Sequence, residues 1–82
     1  MQGGNLHLKN YGQILAKLRK EKGFTQEQLG KKLNVSYQAV SKWENNLSEP
    51  DLATLEKIVN IFGITMSEFF ALVVEQVTTL LM

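Results

Sequence analysis

Apolar residues recur along this chain at intervals of three and four, the spacing that places side chains on one face of an α-helix. Two stretches show the pattern most clearly, and their apolar positions are Tyr11, Ile14, Leu15 and Leu18, and then Leu52, Leu55, Ile58, Val59 and Phe62. We predict a first helix over residues 10–22, followed by Gly23, and a later helix that Ser48 to Asp51 start and Gly63 ends. No run alternates apolar and polar residues as a half-buried strand would. The pattern therefore predicts an all-α protein.

Two shorter helices are predicted within residues 24–46, FTQEQLGKKLNVSYQAVSKWENN. Thr25 and Gln28 have the spacing of a capping box, in which the Thr hydroxyl accepts from the Gln amide and the Gln side chain bonds back. The first short helix is therefore expected from Gln26 to about Leu33.

The chain is then expected to turn sharply and restart. Asn34 tolerates the left-handed conformation that ends a helix abruptly, and Ser36 supplies a second N-cap two residues later. The second short helix, from Tyr37 to Asn46, has Ala39, Val40 and Trp43 on one side and Tyr37, Gln38, Ser41, Lys42 and Asn45 on the other. The apolar side is expected to contact a core, with Trp43 as part of it, and the polar side is expected to face a partner.

Gly30 indicates how the two short helices pack. Gly in a helix interior costs up to about 1 kcal/mol relative to Ala, and a second helix crossing closely at this point explains its presence. A crossing pair whose outer helix is polar is the geometry that enters the major groove of DNA. The alternative, a polar face that is merely solvated, does not explain Gly30.

These residues resemble the helix-turn-helix of the phage repressor and Cro-like family, which includes many small bacterial transcriptional regulators. The matching residues are Thr25, Gln26, Leu29, Gly30, Leu33, Val35, Ser36, Val40, Ser41, Lys42, Trp43, Glu44 and Asn45, followed by Pro50, Asp51, Leu52 and Leu55. The resemblance covers roughly residues 10–70. Asn34 and Asn46 depart from it, because Gly is common at both places, but Asn can adopt the same conformations.

The resemblance implies contacts with bases on the second short helix. Tyr37, Gln38 and Lys42 match the family's base-contacting positions, and Ser41 beside them is expected to contact a base edge, a thymine methyl or a phosphate. The chemistry of the side chains agrees, since Gln38 can bond adenine N6 and N7 and Lys42 can donate to guanine O6 or N7.

Contacts with the DNA backbone are expected from a second set of residues, Gln26, Ser36, Asn45 and Asn46. Gln26 lies at a helix N-terminus, where free amides and the helix dipole attract a phosphate. The resemblance also implies an ion pair between Arg19 and Glu44, which would be structural.

Charge is distributed unevenly along the chain, although the formal net charge is only +1. Residues 1–46 contain eight Lys or Arg against three Glu, whereas residues 47–82 contain one Lys against five Asp or Glu. The basic half would contact the phosphates of a nucleic acid, and the acidic half would face away from them. Solvated lysines on the first helix are the alternative explanation, and a neighbouring helix-turn-helix weakens it.

The C-terminal segment predicts a fifth helix with a broad apolar face. Thr65 and Glu68 repeat the capping-box spacing. The apolar positions that follow are Phe69, Phe70, Val73, Val74, Val77, Leu80 and Leu81, with Leu72 off their arc. So wide an arc, about 140°, exceeds what docking on the domain itself requires. A dimer interface through Val77, Leu80 and Leu81 is expected, and docking on the first helix is the alternative.

Other classes of function find little support in the sequence. The chain has no cysteine, His7 is its only histidine, and neither Ser36 nor Ser41 has a histidine partner in the folded part. We therefore expect no enzyme activity, no cofactor and no metal.

No apolar run approaches the length of about 20 residues that is needed to span a bilayer, and the N-terminal residues lack the pattern of a secretory signal. A cytoplasmic protein without a membrane segment is expected.

The sequence thus predicts a compact five-helix, repressor-type DNA-binding domain. Residues 1–9 would form a flexible tail, residues 10–66 the helix-turn-helix domain, and residues 67–82 a C-terminal dimerisation helix. The expected function is transcriptional regulation, with repression favoured, by a homodimer on an approximately palindromic operator. An antitoxin of the same fold is the main alternative, and a protein-interaction module that has lost DNA binding is a third. A protein partner such as a toxin or an anti-repressor is compatible with each.

Overall fold

The computed structural model describes residues 11–81 of the chain, and the side chains of residues 11–75. Five α-helices occupy this range, and it contains no strand. They are α1 (Tyr11–Glu21), α2 (Gln26–Leu33), α3 (Tyr37–Glu44), α4 (Leu52–Phe62) and α5 (Met66–Leu81). The predicted all-α, five-helix architecture is therefore confirmed.

The helix starts follow from local capping chemistry. Thr25 Oγ1 accepts from the Gln28 amide at 3.0 Å, and Gln28 Oε1 accepts from the Thr25 amide at 2.9 Å, which completes the predicted capping box of α2. Thr65 and Glu68 form the same pair of bonds before α5. Asp51 caps α4 by accepting from the Thr54 amide. Each cap satisfies amides that the first turn of a helix leaves unpaired.

The second short helix, predicted to run from Tyr37 to Asn46, is shorter than expected. α3 ends at Glu44, because Asn45 leaves the helical conformation with ψ 9° and Asn46 is left-handed with φ 60°. Asn34 is left-handed as predicted, with φ 62°, and ends α2.

One core joins all five helices. Its buried side chains are Tyr11, Ile14 and Leu15 of α1, Leu29 and Leu33 of α2, Val40 and Trp43 of α3, Leu55, Ile58, Val59 and Phe62 of α4, and Phe69 and Val73 of α5. Burying a large apolar side chain contributes about 1.5–3 kcal/mol, so this cluster holds the helices together. Trp43 lies in the core, as expected.

The apolar face of α5 is oriented differently from the predicted arc. Phe69 and Val73 are buried, but Phe70 is 45 % and Val74 63 % exposed, and Leu72, which lies off the predicted arc, packs partly against the core. The reason is tertiary: α5 packs on α1, where the Tyr11 and Phe69 rings lie 5.9 Å apart. Leu72 thus lies off the predicted arc and still contacts the core, so the buried side of α5 is not centred on that arc, and exposed apolar surface remains on α5.

No single helix in the described part of the chain is both long and apolar enough to cross a membrane. α4 and the first part of α5 reach the required length and hydropathy only together, with a bend of 90° between them.

Candidate nucleic-acid interface

The surface of interest is built where α3 crosses α2. A Cβ added to Gly30 would lie 2.8 Å from the carbonyl oxygen of Val35 and 3.3 Å from the carbonyl carbon of Ser36. Only glycine allows the backbone of the turn before α3 to approach α2 this closely. The close approach expected at Gly30 is thus present, but the turn and the N-cap residue make it, and not the body of the second helix.

The orientation of α3 follows from its two buried residues. Val40 is 1 % and Trp43 6 % exposed, so this side of the helix is fixed on the core. Ser36 caps the helix, its Oγ accepting from the Ala39 amide at 3.2 Å. The opposite side of α3 is left on the surface of the domain.

The residues expected to contact bases share this outer side. Tyr37, Gln38 and Lys42 are exposed and Ser41 is half-buried. Within the described residues, the side chains of Tyr37, Gln38 and Lys42 make no hydrogen bond and no salt bridge. Gln38 and Lys42 are four residues apart, which places them one above the other on the helix. Their polar groups are available to a partner.

The residues expected to contact the DNA backbone behave differently, because each is already bonded inside the domain. Ser36 caps α3. Asn45 Nδ2 donates to the Ser41 carbonyl at 2.9 Å and approaches Ser41 Oγ at 3.4 Å. Asn46 Oδ1 accepts from the Gly12 amide at 3.2 Å. Asn46 uses only its oxygen in this bond, so the two hydrogens of its amide nitrogen remain as donors, whereas the two bonds to Ser41 account for those of Asn45.

The bond between Gly12 and Asn46 joins the first turn of α1 to the end of α3. A Cβ added to Gly12 would lie 2.6 Å from the Trp43 carbonyl oxygen and 2.7 Å from that of Glu44. No local sequence pattern indicates this contact, because 34 residues separate the two partners.

Arg19 and Glu44, which were expected to pair, are brought together in a nearly buried ion pair. Arg19 Nε donates to Glu44 Oε2 at 2.6 Å and Nη2 donates to Oε1 at 3.1 Å, so the pairing is bidentate. Arg19 Nη1 also donates to the Phe24 carbonyl at 2.8 Å. The two side chains are 10 % and 6 % exposed. The pair fixes α1 to the last turn of α3.

Gln26 takes part in the same network. Its Nε2 donates to Glu44 Oε1 at 2.9 Å, so the first residue of α2 is tied to the last residue of α3. This bond was not predicted, since capping chemistry alone places Gln26 at the helix start without a tertiary partner. It holds the Gln26 amide group at the junction of α1, α2 and α3, where its second amide hydrogen remains available.

Two ionisable groups near the end of α3 are perturbed. Burial, and then the charge of Glu49, raise the pKa of Tyr11 to about 12. Tyr11 lines a cleft of about 280 Å³ together with Asn46, Leu47, Ser48 and Glu49. Hydrogen bonds from the Thr54 side chain and amide, and least of all the charge of Lys57, hold the pKa of the exposed Asp51 carboxyl below its ordinary value.

Several expected features fall outside these observations. His7 precedes the described residues, and Val77, Leu80 and Leu81 follow the last residue whose side chain is described. Between residues 11 and 75, no three His, Cys, Asp or Glu side chains are grouped as a metal site would require.

A short capped helix, a tight left-handed turn and an outward polar helix fixed by a buried pair define a helix-turn-helix domain. The chain belongs to the helix-turn-helix family, whose model matches residues 15–69, more than half of the sequence.

Curated relatives are named as transcriptional regulators. The HTH-type transcriptional activator BcrR of Enterococcus faecalis is 39 % identical over 61 residues, which are 74 % of this chain and 30 % of BcrR. The SPbeta prophage-derived uncharacterized HTH-type transcriptional regulator YonR of Bacillus subtilis (strain 168) is 38 % identical over 55 residues, 67 % of this chain and 51 % of YonR. The chain thus spans between about a third and about half of the length of these relatives.

A solved structure matches the fold over nearly its full length. The wild-type restriction-modification controller protein C.Esp1396I superposes with a TM-score of 0.76 at 27 % identity, covering 89 % of this chain and 95 % of the controller. A mutant of the same controller superposes with a TM-score of 0.78, also at 27 % identity, and covers 89 % of this chain and 97 % of the controller.

Proposed function

We propose that this domain binds duplex DNA sequence-specifically and regulates transcription, with α3 in the major groove. One observation carries the proposal: the exposed polar side chains of α3 are unbonded, while the residues around them are fixed by internal bonds. This arrangement suits base recognition. The internally bonded residues hold α3 in position, and the unbonded side chains of α3 can pair with base edges. Relatives named as HTH-type transcriptional regulators support it.

Base contacts are assigned to the outer side of α3. Gln38 has the amide geometry for adenine N6 and N7, and Lys42 donates to guanine O6 or N7. Tyr37 and Ser41 flank them and complete the contact surface. Each well-placed contact of this kind discriminates against a wrong base by about 1–3 kcal/mol.

Phosphate contacts are assigned to the internally bonded residues around α3. The α2 N-terminus offers backbone amides and the second amide hydrogen of Gln26, while Ser36 borders the start of α3 and the Asn45 and Asn46 amides border its end. Because these groups are held by intradomain bonds, they lose little conformational freedom when DNA binds. They would set the register of α3 in the groove without selecting a sequence.

Dimerisation is part of the proposal, and the exposed face of α5 supports it. Phe70 and Val74 border a shallow groove of about 670 Å³, and the sequence continues the same helical spacing to Val77 and Leu81. A two-fold dimer would present two copies of α3 to half-sites about one helical turn apart, so the operator should be an approximate palindrome. Repression would follow where bound dimers exclude RNA polymerase.

The test is a selection of bound duplexes from a random pool, followed by titrations with the enriched sequence. We expect Gln38→Ala and Lys42→Ala to relax preference at separate base pairs, at a cost of about 1–3 kcal/mol each, with unchanged melting curves. Gln26→Ala should weaken all duplexes similarly. Affinity should fall with salt, with a slope near about −0.9 per neutralised phosphate.

Lys20→Ala is the matched control for Lys42→Ala, since it removes an exposed cation on α1 away from the proposed base contacts. No enrichment of any sequence, or equal loss of discrimination in the control, would refute the assignment of base recognition to α3.

A further inference from the structure

A second basic surface lies between α2 and α4. Lys32, Lys57, Asn60 and Ile61 line a cleft of about 390 Å³. Lys57 is the only Lys or Arg in residues 47–82, a stretch with five Asp or Glu, yet it lies beside a lysine of the basic half of the chain. Two cations from different halves of the sequence therefore border one cleft.

The position of Lys32 on α2 sets the cleft apart from the proposed DNA interface. The turn that leads into α3 lies against α2 at Gly30, where the Val35 and Ser36 backbones approach. At 3.6 residues per turn, Lys32 points about 160° around the helix from Gly30. The cleft thus opens on the side of α2 turned away from α3, and DNA held by Gln38 and Lys42 would leave it uncovered.

The cleft is electrostatically unbalanced. None of its lining residues is acidic, and neither Lys32 nor Lys57 forms a salt bridge within the described part of the chain. Glu56, next to Lys57 in sequence, and Asp51, whose carboxyl feels the Lys57 charge, are not part of the lining. Two ammonium groups beside one cleft repel each other, and a bound anion would relieve that repulsion.

One wall of the cleft is held in place. The Lys32 ammonium lies 5.1 Å from the centroid of the Phe24 ring, a cation–π distance. Phe24 is half-buried against the core, and its carbonyl accepts from Arg19. Ile61 also packs partly against the core and gives the cleft an apolar side, and the exposed Asn60 adds an amide.

We propose that this cleft docks an acidic segment of a partner protein while α3 holds DNA. Carboxylates would pair with Lys32 and Lys57, the Asn60 amide would bond the partner's backbone or a carboxylate, and an apolar side chain would contact Ile61. A protein segment fits better than a small anion, because both lysines are exposed and a small ligand would stay largely in water. The partner surface is independent of base recognition by α3.

The experiment uses a fluorescein-labelled hexaglutamate peptide with a terminal leucine, and follows its anisotropy and the ¹⁵N shifts of the whole chain. The test variant is Lys32→Gln with Lys57→Gln. The control is Lys20→Gln with Lys31→Gln, two exposed lysines in the last turns of α1 and α2 outside the cleft. Both double variants change the net charge from +1 to −1, and thermal melts check that both remain folded.

We expect peptide affinity to fall about fivefold to tenfold in the cleft variant and far less in the control. The largest shifts should fall on Lys32, Lys57, Asn60 and Ile61, and the peptide should remain bound when the selected duplex is added. An equal loss of peptide affinity in the cleft variant and in the control would show that the attraction is non-specific, and it would overturn the proposal. Displacement of the peptide by duplex would assign the cleft to DNA. Displacement by inorganic phosphate at about 10 mM, at constant ionic strength so that screening is unchanged, would assign it to small anions.

Discussion

Arg19 is the only charged residue that is buried in the described part of the domain. It is 8 % exposed and donates to two Glu44 oxygens and to the Phe24 carbonyl. A charge so far removed from water is tolerated only because its donors are paired. Glu44 is equally dependent on Arg19, with Gln26 as an additional donor.

Glu44→Gln should therefore destabilise the domain strongly. The substitution keeps the shape of the side chain but leaves the Arg19 charge uncompensated, and breaking a buried pair in this way costs about 3–5 kcal/mol. Chemical unfolding measures the loss. Glu27→Gln, at an exposed position on α2, is the control and should be nearly silent. An unchanged unfolding midpoint for Glu44→Gln would mean that the pair contributes no stability.

Tyr11 makes stability depend on pH in the alkaline range. Its pKa is about 12 in the folded protein against an ordinary value of 10.0, so the folded state keeps the phenol proton where the unfolded state releases it. Below pH 10 both states hold the proton, and the contribution of this group to stability is constant. Between pH 10 and 12 the unfolded state is favoured progressively, and stability falls.

The measurement is the urea midpoint of unfolding at several pH values from about 9 to about 12, a range set by the ordinary and shifted pKa of Tyr11. The decline should be less steep in Tyr11→Phe, which lacks the phenol. Parallel declines in the two proteins would show that other groups control the alkaline transition.

Single residues also show where sequence interpretation succeeds. Asn34 and Asn46 were expected to accept the left-handed conformation, and both do. The contacts of Gln26 with Glu44 and of Asn46 with Gly12 were not predicted, because they join residues 18 and 34 positions apart and no local pattern encodes them. Arg19 and Glu44 could be paired only through the family resemblance.

At the scale of helices, the close approach between α2 and the turn before α3 depends on the absence of a side chain at Gly30. Alanine has the higher helix propensity by about 1 kcal/mol, so Gly30→Ala would stabilise an isolated α2. In the domain its Cβ would meet the Val35 carbonyl oxygen at 2.8 Å, and a backbone atom cannot move aside as a flexible side chain can.

We therefore expect Gly30→Ala to lower stability by about 1–3 kcal/mol and to weaken DNA binding, since α3 would be displaced. Thermal unfolding and duplex titration measure the two effects. The difference between Lys31→Gly and Lys31→Ala, one residue further on the exposed side of α2, measures the effect of helix propensity alone. A more stable Gly30→Ala protein would contradict the close crossing.

Helix boundaries were largely predictable from capping residues, since Thr25, Asp51 and Thr65 each cap the helix assigned to them. Which side of α5 is buried was not predictable from the sequence. The periodicity gives the width of an apolar face, but it does not give the direction in which the core lies. The packing of Phe69 on Tyr11 decides that direction, and it brings Leu72 partly inside while Phe70 stays out.

At the scale of the whole molecule, the open apolar surface of α5 leads to a prediction about assembly. Burying Val77 and Leu81 across a two-fold contact would contribute about 1.5–3 kcal/mol per side chain before association costs. Val77→Glu with Leu81→Glu should therefore give a folded monomer that binds a full operator no better than a half-site. Sedimentation and titration with both duplexes measure this.

Thr79→Glu is the control for adding a charge to the same helix. It should remain dimeric, because helical spacing places Thr79 about 160° around the helix from both Val77 and Leu81. A monomeric unmodified protein at high micromolar concentration, or a dimeric Val77/Leu81 variant, would remove this face from the interface.

The separation of free and bonded side chains around α3 has an evolutionary consequence. Tyr37, Gln38 and Lys42 have no bonds within the described part of the domain, so substituting them changes what the surface recognises and leaves stability nearly untouched. A lineage carrying this domain can acquire a new operator by a few neutral steps at these positions. Gln26, Glu44 and Asn46 lack that freedom, since each change there also loosens the junction of α1, α2 and α3. Divergence among descendants should therefore concentrate on the outer side of α3.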